Sequence, residues 1–206
     1  MPAHQYYSEL LDILNERSEA RKHINIAMEL DPFFYMEHIM SAYYFENEGR
    51  YKKAVDEYKI VQELNPEVNR WWYLFINYVI QGEDLTAIEV LEQALEENRL
   101  GGDSLAAVYT DPLKENINKP DVTGILNLLI EIYLKRSPPL SMRLATLYII
   151  TGNTDEALDW LERAFEDRAS RIPRINSNYV LSRLRSEPRF QALIEKMGLT
   201  DYQVPK

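Results

Sequence analysis

Two prolines, Pro32 and Pro66, stand 34 residues apart, and the stretch between them has a helical pattern. Apolar side chains recur here, and through most of the chain, every three or four residues, which is the spacing of helices that bury one face. The helical stretches break at Gly or Pro, without the turn signals that pair strands into hairpins. The sequence therefore predicts an all-α protein built from a string of short helices.

The unit that ends at Pro66 carries small residues at characteristic places, namely Ala42, Gly49 and Ala54. This pattern resembles the tetratricopeptide repeat, a 34-residue helical hairpin in which small residues let the two helices approach closely, glycine forms the turn and proline ends the second helix. The resemblance implies a right-handed α-solenoid. Other units carry matching residues: Ala20, Ala27 and Pro32 in the first, Gly82, Ala87 and Ala94 in the third, and Ala145, Gly152, Ala157 and Ala164 in the fifth.

These units predict a single solenoid domain over residues 1–206. The fourth unit is degenerate, because Pro112 interrupts its first helix. Ser186-Glu187-Pro188 is typical of a helix start and predicts a C-terminal capping helix, since the ends of a repeat stack need a polar cover. The approximate repeats are 1–34, 35–67, 68–103, 104–137 and 138–171, followed by a cap over 172–206.

A narrower resemblance covers about the last quarter of the chain. Residues 157–168, followed by 184–193 and Met197-Gly198-Leu199, are similar to the C-terminal end of a bacterial tetratricopeptide family. In that family the repeats follow a separate effector domain, such as a winged-helix, cyclase or kinase domain. The resemblance implies the sensory or scaffolding arm of a bacterial regulator.

Composition excludes several other classes. The chain has no cysteine, and its three histidines are scattered. Its one glycine pair, Gly101-Gly102, is not followed by the Gly-Lys-Ser/Thr of a phosphate-binding loop. We therefore expect no enzyme, no cofactor and no metal site, and a structural role for His38. A net charge of −10 argues against direct nucleic-acid binding. The absence of a long apolar stretch or a secretory signal predicts no membrane span and a cytoplasmic location.

The resemblance also implies a binding surface, because tetratricopeptide repeats line a concave groove mainly with their first helices. The groove is expected to be apolar and aromatic in the middle and acidic at its N-terminal end, which suits a peptide or protein segment with apolar anchors and Lys or Arg. The alternative is that Tyr43, Trp72 and Ile76 are core residues. The expected groove residues are Gln5, Glu9 and Asp12, then Met36, Ile39, Tyr43, Glu46 and Asn47, then Trp72, Ile76 and Ile80, and finally Met142 and Thr146.

Charge is unevenly distributed along the chain. Residues 1–100 hold 19 acidic and 9 basic side chains, whereas the remainder holds 14 of each. A basic patch near the C-terminus could bind an acidic partner or the acidic first half of another copy. Self-association as a homodimer is therefore the alternative function, while pairing of these arginines with local acids is the simpler interpretation. The patch consists of Arg171, Arg174, Arg183, Arg185 and Arg189.

Overall fold

The computed structural model describes residues 2–68, 70–97 and 121–202, and within these ranges it is helical and has no strand. Three short 3-10 turns cover Ile172–Arg174, Leu181–Leu184 and Thr200–Tyr202. The α-helices of the described residues are α1 (Pro2–Ile13), α2 (Arg17–Leu30), α3 (Tyr35–Asn47), α4 (Tyr51–Leu64), α5 (Trp71–Gln81), α6 (Asp84–Glu96), α7 (Val122–Leu134), α8 (Ser141–Ile150), α9 (Thr154–Glu166) and α10 (Pro188–Lys196).

Successive helices pack as antiparallel hairpins. The pairs α1–α2, α3–α4, α5–α6 and α8–α9 form the closest associations, and α2 also packs on α3 and α7 on α8. This arrangement is that of a helical-repeat protein. The prediction of an all-α repeat architecture is confirmed.

Small residues lie where the helices of each hairpin meet. Ala42 and Ala54 of the second hairpin are fully buried, as the repeat pattern predicts. A side chain without atoms beyond Cβ lets two helix backbones approach closely, so that larger neighbours can pack around the contact. The same burial recurs at Ala20 and Ala27, at Ala87 and Ala94, and at Ala145, Ala157 and Ala164.

The turns inside the hairpins share one backbone conformation. Gly49 follows α3 with φ +70°, and its N–H and that of the next residue bond back to carbonyls of the last helical turn. This left-handed cap suits glycine because it has no Cβ. In the first hairpin Asn15 occupies the equivalent place with φ +61°. Asn tolerates this conformation better than most residues, which explains a turn that a search for glycine misses.

The described chain forms two compact units. Unit 1 consists of residues 1–68 together with 170–206, and unit 2 consists of residues 69–169. Unit 1 therefore contains the first two hairpins and the entire region predicted as a C-terminal cap. Unit 2 contains α5 to α9. The prediction of one continuous domain stays a prediction.

The fourth predicted repeat is described only in part. Its second helix is present as α7, with Ile125, Leu129 and Tyr133 buried along one face. Pro112 and the Gly101-Gly102 pair lie outside the described residues. The helix predicted to start at Ser186-Glu187-Pro188 is also present, as α10, which buries Phe190 and Leu193 and ends before Gly198. Its role as a cap stays a prediction.

Candidate functional site

The side of α1 and α3 that carries Glu9, Asp12, Tyr43 and Glu46 is here called the N-terminal groove. It also includes Met36 and Ile39, and it lies within unit 1. Residues 170–202 are here called the C-terminal segment. The 3-10 turn at residues 172–174 contacts α1, so this part of the C-terminal segment lies on this side of the first two hairpins. The groove predicted for a partner thus already holds part of its own chain.

A hydrogen-bonded chain of three side chains joins the C-terminal segment to the groove. The Ser177 hydroxyl donates to Oδ2 of Asp12 at 2.9 Å, and the Tyr43 hydroxyl lies 2.9 Å from the same Ser177 oxygen. Serine has one proton to donate, so when it donates to the ionised Asp12 the Tyr43 hydroxyl donates to serine. Ser177 thereby links α1 to α3 through one hydroxyl.

Asp12 is fully buried at the centre of this chain. Burial raises the pKa of its carboxyl group, while the hydrogen bond from Ser177 and the positive charge of Arg174 act in the opposite direction. Oδ1 of Asp12 has no hydrogen-bond partner among the described residues. The ionised form of Asp12 is therefore favoured by two groups of the C-terminal segment, Ser177 and Arg174, together with Arg17 on α2.

Arg174 provides the charged contact. Its guanidinium lies 3.0 Å from a carboxylate oxygen of Glu9, and it stacks over the Tyr43 ring with its Cζ 5.4 Å from the ring centroid. Nη1 of Arg174 also lies 3.5 Å from the sulfur of Met40. A planar guanidinium can satisfy an acid and an aromatic face at once, which a lysine ammonium does less well. One arginine of the predicted basic patch therefore pairs with the acidic first half of its own chain.

Aromatic and apolar contacts extend the docking of the C-terminal segment. The rings of Tyr51 and Tyr179 lie 5.6 Å apart, and burial raises the pKa of Tyr179. Within residues 170–187, five apolar side chains are at most 7% exposed: Ile172, Ile175, Val180, Leu181 and Leu184. Full burial of one such side chain contributes about 1.5–3 kcal/mol, so their exposure would cost on the order of 10 kcal/mol.

The remaining residues predicted for the groove are found in different environments. Met36, Ile39 and Asn47 are partly exposed, whereas Gln5 and Glu46 are buried. Tyr58 donates a hydrogen bond to Glu46 at 2.9 Å. The first half of α3 therefore offers accessible apolar side chains, while its second half lies against the C-terminal segment or other buried groups.

In unit 2 the predicted groove residues are divided between surface and interior. Ile80, Met142 and Thr146 are partly exposed, whereas Trp72 and Ile76 are buried. The Trp72 ring packs against Tyr133, with centroids 5.7 Å apart, and Arg143 lies over it at 4.8 Å. A partner could contact Trp72 and Ile76 only after they became exposed. This placement agrees with the alternative interpretation, in which Trp72 and Ile76 are core residues.

The rest of the basic patch is mostly accessible. Arg171 and Arg183 are exposed, and Arg185 and Arg189 are partly exposed. Arg185 donates to the carbonyl oxygen of Asn176 at 3.2 Å, within the C-terminal segment. Within the basic patch, Arg185 therefore makes a local contact, Arg174 contacts the first hairpin, and Arg171 and Arg183 lie at the surface.

His38 occupies a polar cluster between α3 and α4. Its Nδ1 lies 2.6 Å from a carboxylate oxygen of Glu57, and its Nε2 lies 3.0 Å from the carbonyl oxygen of Pro32. Both partners are acceptors, so the doubly protonated, positively charged imidazole is the form that satisfies both contacts. The hydrogen bond to Glu57 is the main cause that raises the pKa of His38. The Ser41 hydroxyl also donates to Glu57. This arrangement agrees with the structural role expected for His38.

The comparison with protein families identifies one repeat directly. Residues 139–166 match the tetratricopeptide repeat family, and they correspond to the hairpin of α8 and α9. This stretch is therefore a tetratricopeptide repeat, as the sequence pattern predicts. No curated protein matches the chain. Tetratricopeptide repeats are an interaction fold, so this repeat supports a protein–protein interaction module as the general class of this protein.

Residues 2–68, 70–97 and 121–202 contain no group of three or more His, Asp or Glu side chains placed to hold a metal ion. No helix within the same ranges combines the length and the apolar character needed to cross a membrane.

Proposed function

We propose that the chain is a non-catalytic protein–protein interaction module that binds a peptide or protein segment on its N-terminal groove. The observation that carries this proposal is the docking of the C-terminal segment, because this surface already accepts a piece of polypeptide through specific side chains. Arg174 and Ser177 mark the places where a positive charge and a hydroxyl are accommodated. The interaction fold found at residues 139–166 supports the same class of function.

The accessible part of the groove defines where a partner would bind. Met36 and Ile39 lie one turn apart on α3 and are partly exposed beside the region that the C-terminal segment covers. Apolar side chains at such positions suit a partner segment that presents its own apolar anchors. The acidic first half of the chain favours partners that carry Lys or Arg, chiefly by raising the rate of encounter.

The biological setting forms part of the same proposal. The chain would serve as the sensory or scaffolding arm of a larger bacterial regulator and would act in the cytoplasm. The resemblance of the last quarter of the chain to bacterial repeat proteins supports this assignment. No catalytic step and no direct contact with nucleic acid is assigned to these residues.

The experiment is a quantitative pull-down from lysate of the source organism. The wild-type chain is compared with a Met36→Ala, Ile39→Ala double variant and with Ile60→Ala, which shortens an exposed isoleucine on α4. The proposal expects a protein that is recovered with wild type and Ile60→Ala but lost with the double variant. Recovery of the same proteins by all three chains would overturn it, provided that circular dichroism shows all three to be folded.

The second candidate function is self-association. The specific observation in its favour is that Arg174 of the basic end pairs with Glu9 of the acidic first half. The same pair can form between two copies of the chain.

A further inference from the structure

We propose that two copies of this chain exchange their C-terminal segments, so that residues 170–202 of one copy complete the N-terminal groove of the other. The occupant assigned to the buried end of the groove is therefore a second copy and not a foreign peptide. The proposal develops the self-association candidate. It does not depend on the partner expected at Met36 and Ile39.

Complementarity favours the second copy as the occupant. The groove meets the segment through the Glu9–Arg174 ion pair, through the Asp12–Ser177 hydrogen bond and through the ring of Tyr43. A second copy supplies all of these side chains, together with the buried apolar residues of the segment. Any other partner would have to replace them. Exchange of an identical element conserves the native contacts, which makes it a low-cost route to a dimer.

The order of the two units along the sequence favours the exchange of C-terminal segments between copies. The two parts of unit 1, residues 1–68 and residues 170–206, are separated by the whole of unit 2. The groove is therefore synthesised long before its occupant, and it meets that occupant only after an intervening unit of about 100 residues. Whenever chains fold at high concentration, the groove of a second copy competes for the same segment.

A short connection provides the hinge. Helix α9 ends at Glu166 and the 3-10 turn begins at Ile172, so five residues connect the last helix of unit 2 to this turn. Arg168 lies in this connection with φ +51°, a left-handed conformation that carries strain for a residue with a long side chain. An open connection in an exchanged dimer releases Arg168 from this conformation. Short hinges under strain favour exchange of this kind.

The test uses the absence of natural cysteine in the chain. An affinity-tagged Asp12→Cys chain and an untagged Ser177→Cys chain are mixed, unfolded in denaturant, refolded together at high concentration and treated with a short thiol-to-thiol crosslinker. The side chains of Asp12 and Ser177 approach to 2.9 Å, so the crosslinker can join them. The matched control replaces the second chain with Ser186→Cys, which places a thiol at an exposed position of the same segment.

Exchange predicts a covalent heterodimer of Asp12→Cys with Ser177→Cys in several-fold larger amount than with Ser186→Cys. Equal yields in the two mixtures would overturn the proposal, since they would reflect random collisions. The result is independent of the lysate pull-down, because it involves only purified chains. A failed exchange would leave the proposed partner site at Met36 and Ile39 unaffected.

A second measurement avoids changes in the groove and covers the case in which Asp12→Cys does not fold. Light scattering after refolding at high concentration is expected to detect a dimer of the wild-type chain and a smaller dimer fraction for Arg168→Gly, because glycine relaxes the closed connection. Asn15→Gly is the matched control, since it removes a similar positive φ at a turn outside the hinge. A wild-type chain that remains monomeric, or equal dimer fractions in all three chains, would contradict the exchange.

Discussion

Ser177 and Asp12 are 165 residues apart in sequence, and their side chains are joined by a hydrogen bond of 2.9 Å. The same serine oxygen meets the hydroxyl of Tyr43. This relationship connects the last part of the chain to its first hairpin, and it places the C-terminal segment on the surface where a repeat protein is expected to receive a partner.

Removal of the Ser177 hydroxyl should destabilise unit 1. In Ser177→Ala, buried Asp12 loses the donor to Oδ2 and Tyr43 loses its acceptor, so we expect a loss of about 1–3 kcal/mol in the free energy of unfolding. Urea denaturation followed by circular dichroism measures this change. Ser186→Ala, at an exposed position, should change stability by less than about 0.5 kcal/mol. Equal effects of the two substitutions would contradict the assignment.

The ion pair of Arg174 and Glu9 should show a modest, measurable coupling. Both side chains are about a quarter exposed, so a double-mutant cycle with Glu9→Gln and Arg174→Gln is expected to give a coupling of about 1 kcal/mol or less. Added salt should reduce the coupling, since partly exposed pairs are screened. Additive effects at low salt would mean that the two side chains do not interact in solution.

The His38 cluster predicts a dependence of stability on pH. Glu57 on α4, the neighbouring Glu37 and the Pro32 carbonyl face the imidazole, and together they raise its pKa above the ordinary value of about 6.5. A group whose pKa is raised by folding contributes stability that is fully present below its unfolded pKa and is lost as pH rises through its folded pKa. The stability difference between wild type and His38→Gln should therefore be largest below about pH 6.5.

Denaturation curves measured across this range test the prediction for His38. Glu57→Gln serves as the second variant, because it removes the principal cause of the raised pKa and should flatten the same pH dependence. A stability difference between wild type and His38→Gln that grows as pH rises would contradict a charged imidazole.

Much of the architecture could be predicted from the sequence, because the hairpins depend on local chemistry. Helical periodicity, prolines at the ends of second helices and small residues such as Ala42 and Ala54 specify hairpins through short-range packing. The turn at Asn15 carries no glycine signal in the sequence, because its left-handed conformation is adopted there by asparagine.

The candidate site could be predicted less completely from the sequence. The groove residues follow from repeat positions, but exposure depends on what covers each position in the folded chain. Burial of Trp72 depends on Tyr133, and the environment of Asp12 depends on Ser177. Such long-range contacts leave no periodic signal. The uneven charge is the sequence feature that points to the contact between the two ends of the chain. An acidic first half and an arginine-rich end can attract each other within one chain as well as between two chains.

The hairpin turns should respond to substitution according to their backbone. At Gly49 a Cβ atom would meet nothing within 4 Å, so the penalty of a substitution comes from its φ of +70° alone. Gly49→Ala is expected to cost about 1 kcal/mol, and Gly49→Asn should cost less, because Asn adopts this conformation at position 15. Thermal unfolding of both variants gives the comparison. A smaller loss for alanine than for asparagine would contradict this account of the turn.

Trp72 distinguishes a core residue from a partner-binding residue. It is 7% exposed and packs against Tyr133 and Arg143, so Trp72→Ala should create a cavity and cost about 3–5 kcal/mol in the free energy of unfolding. Trp160, which is partly exposed on α9, is the matched control, and Trp160→Ala should cost clearly less. Denaturation followed by far-ultraviolet circular dichroism measures both without relying on tryptophan fluorescence. A loss below about 1 kcal/mol for Trp72→Ala would mean that the ring is accessible in solution, and Trp72 would then return to the set of groove residues available to a partner.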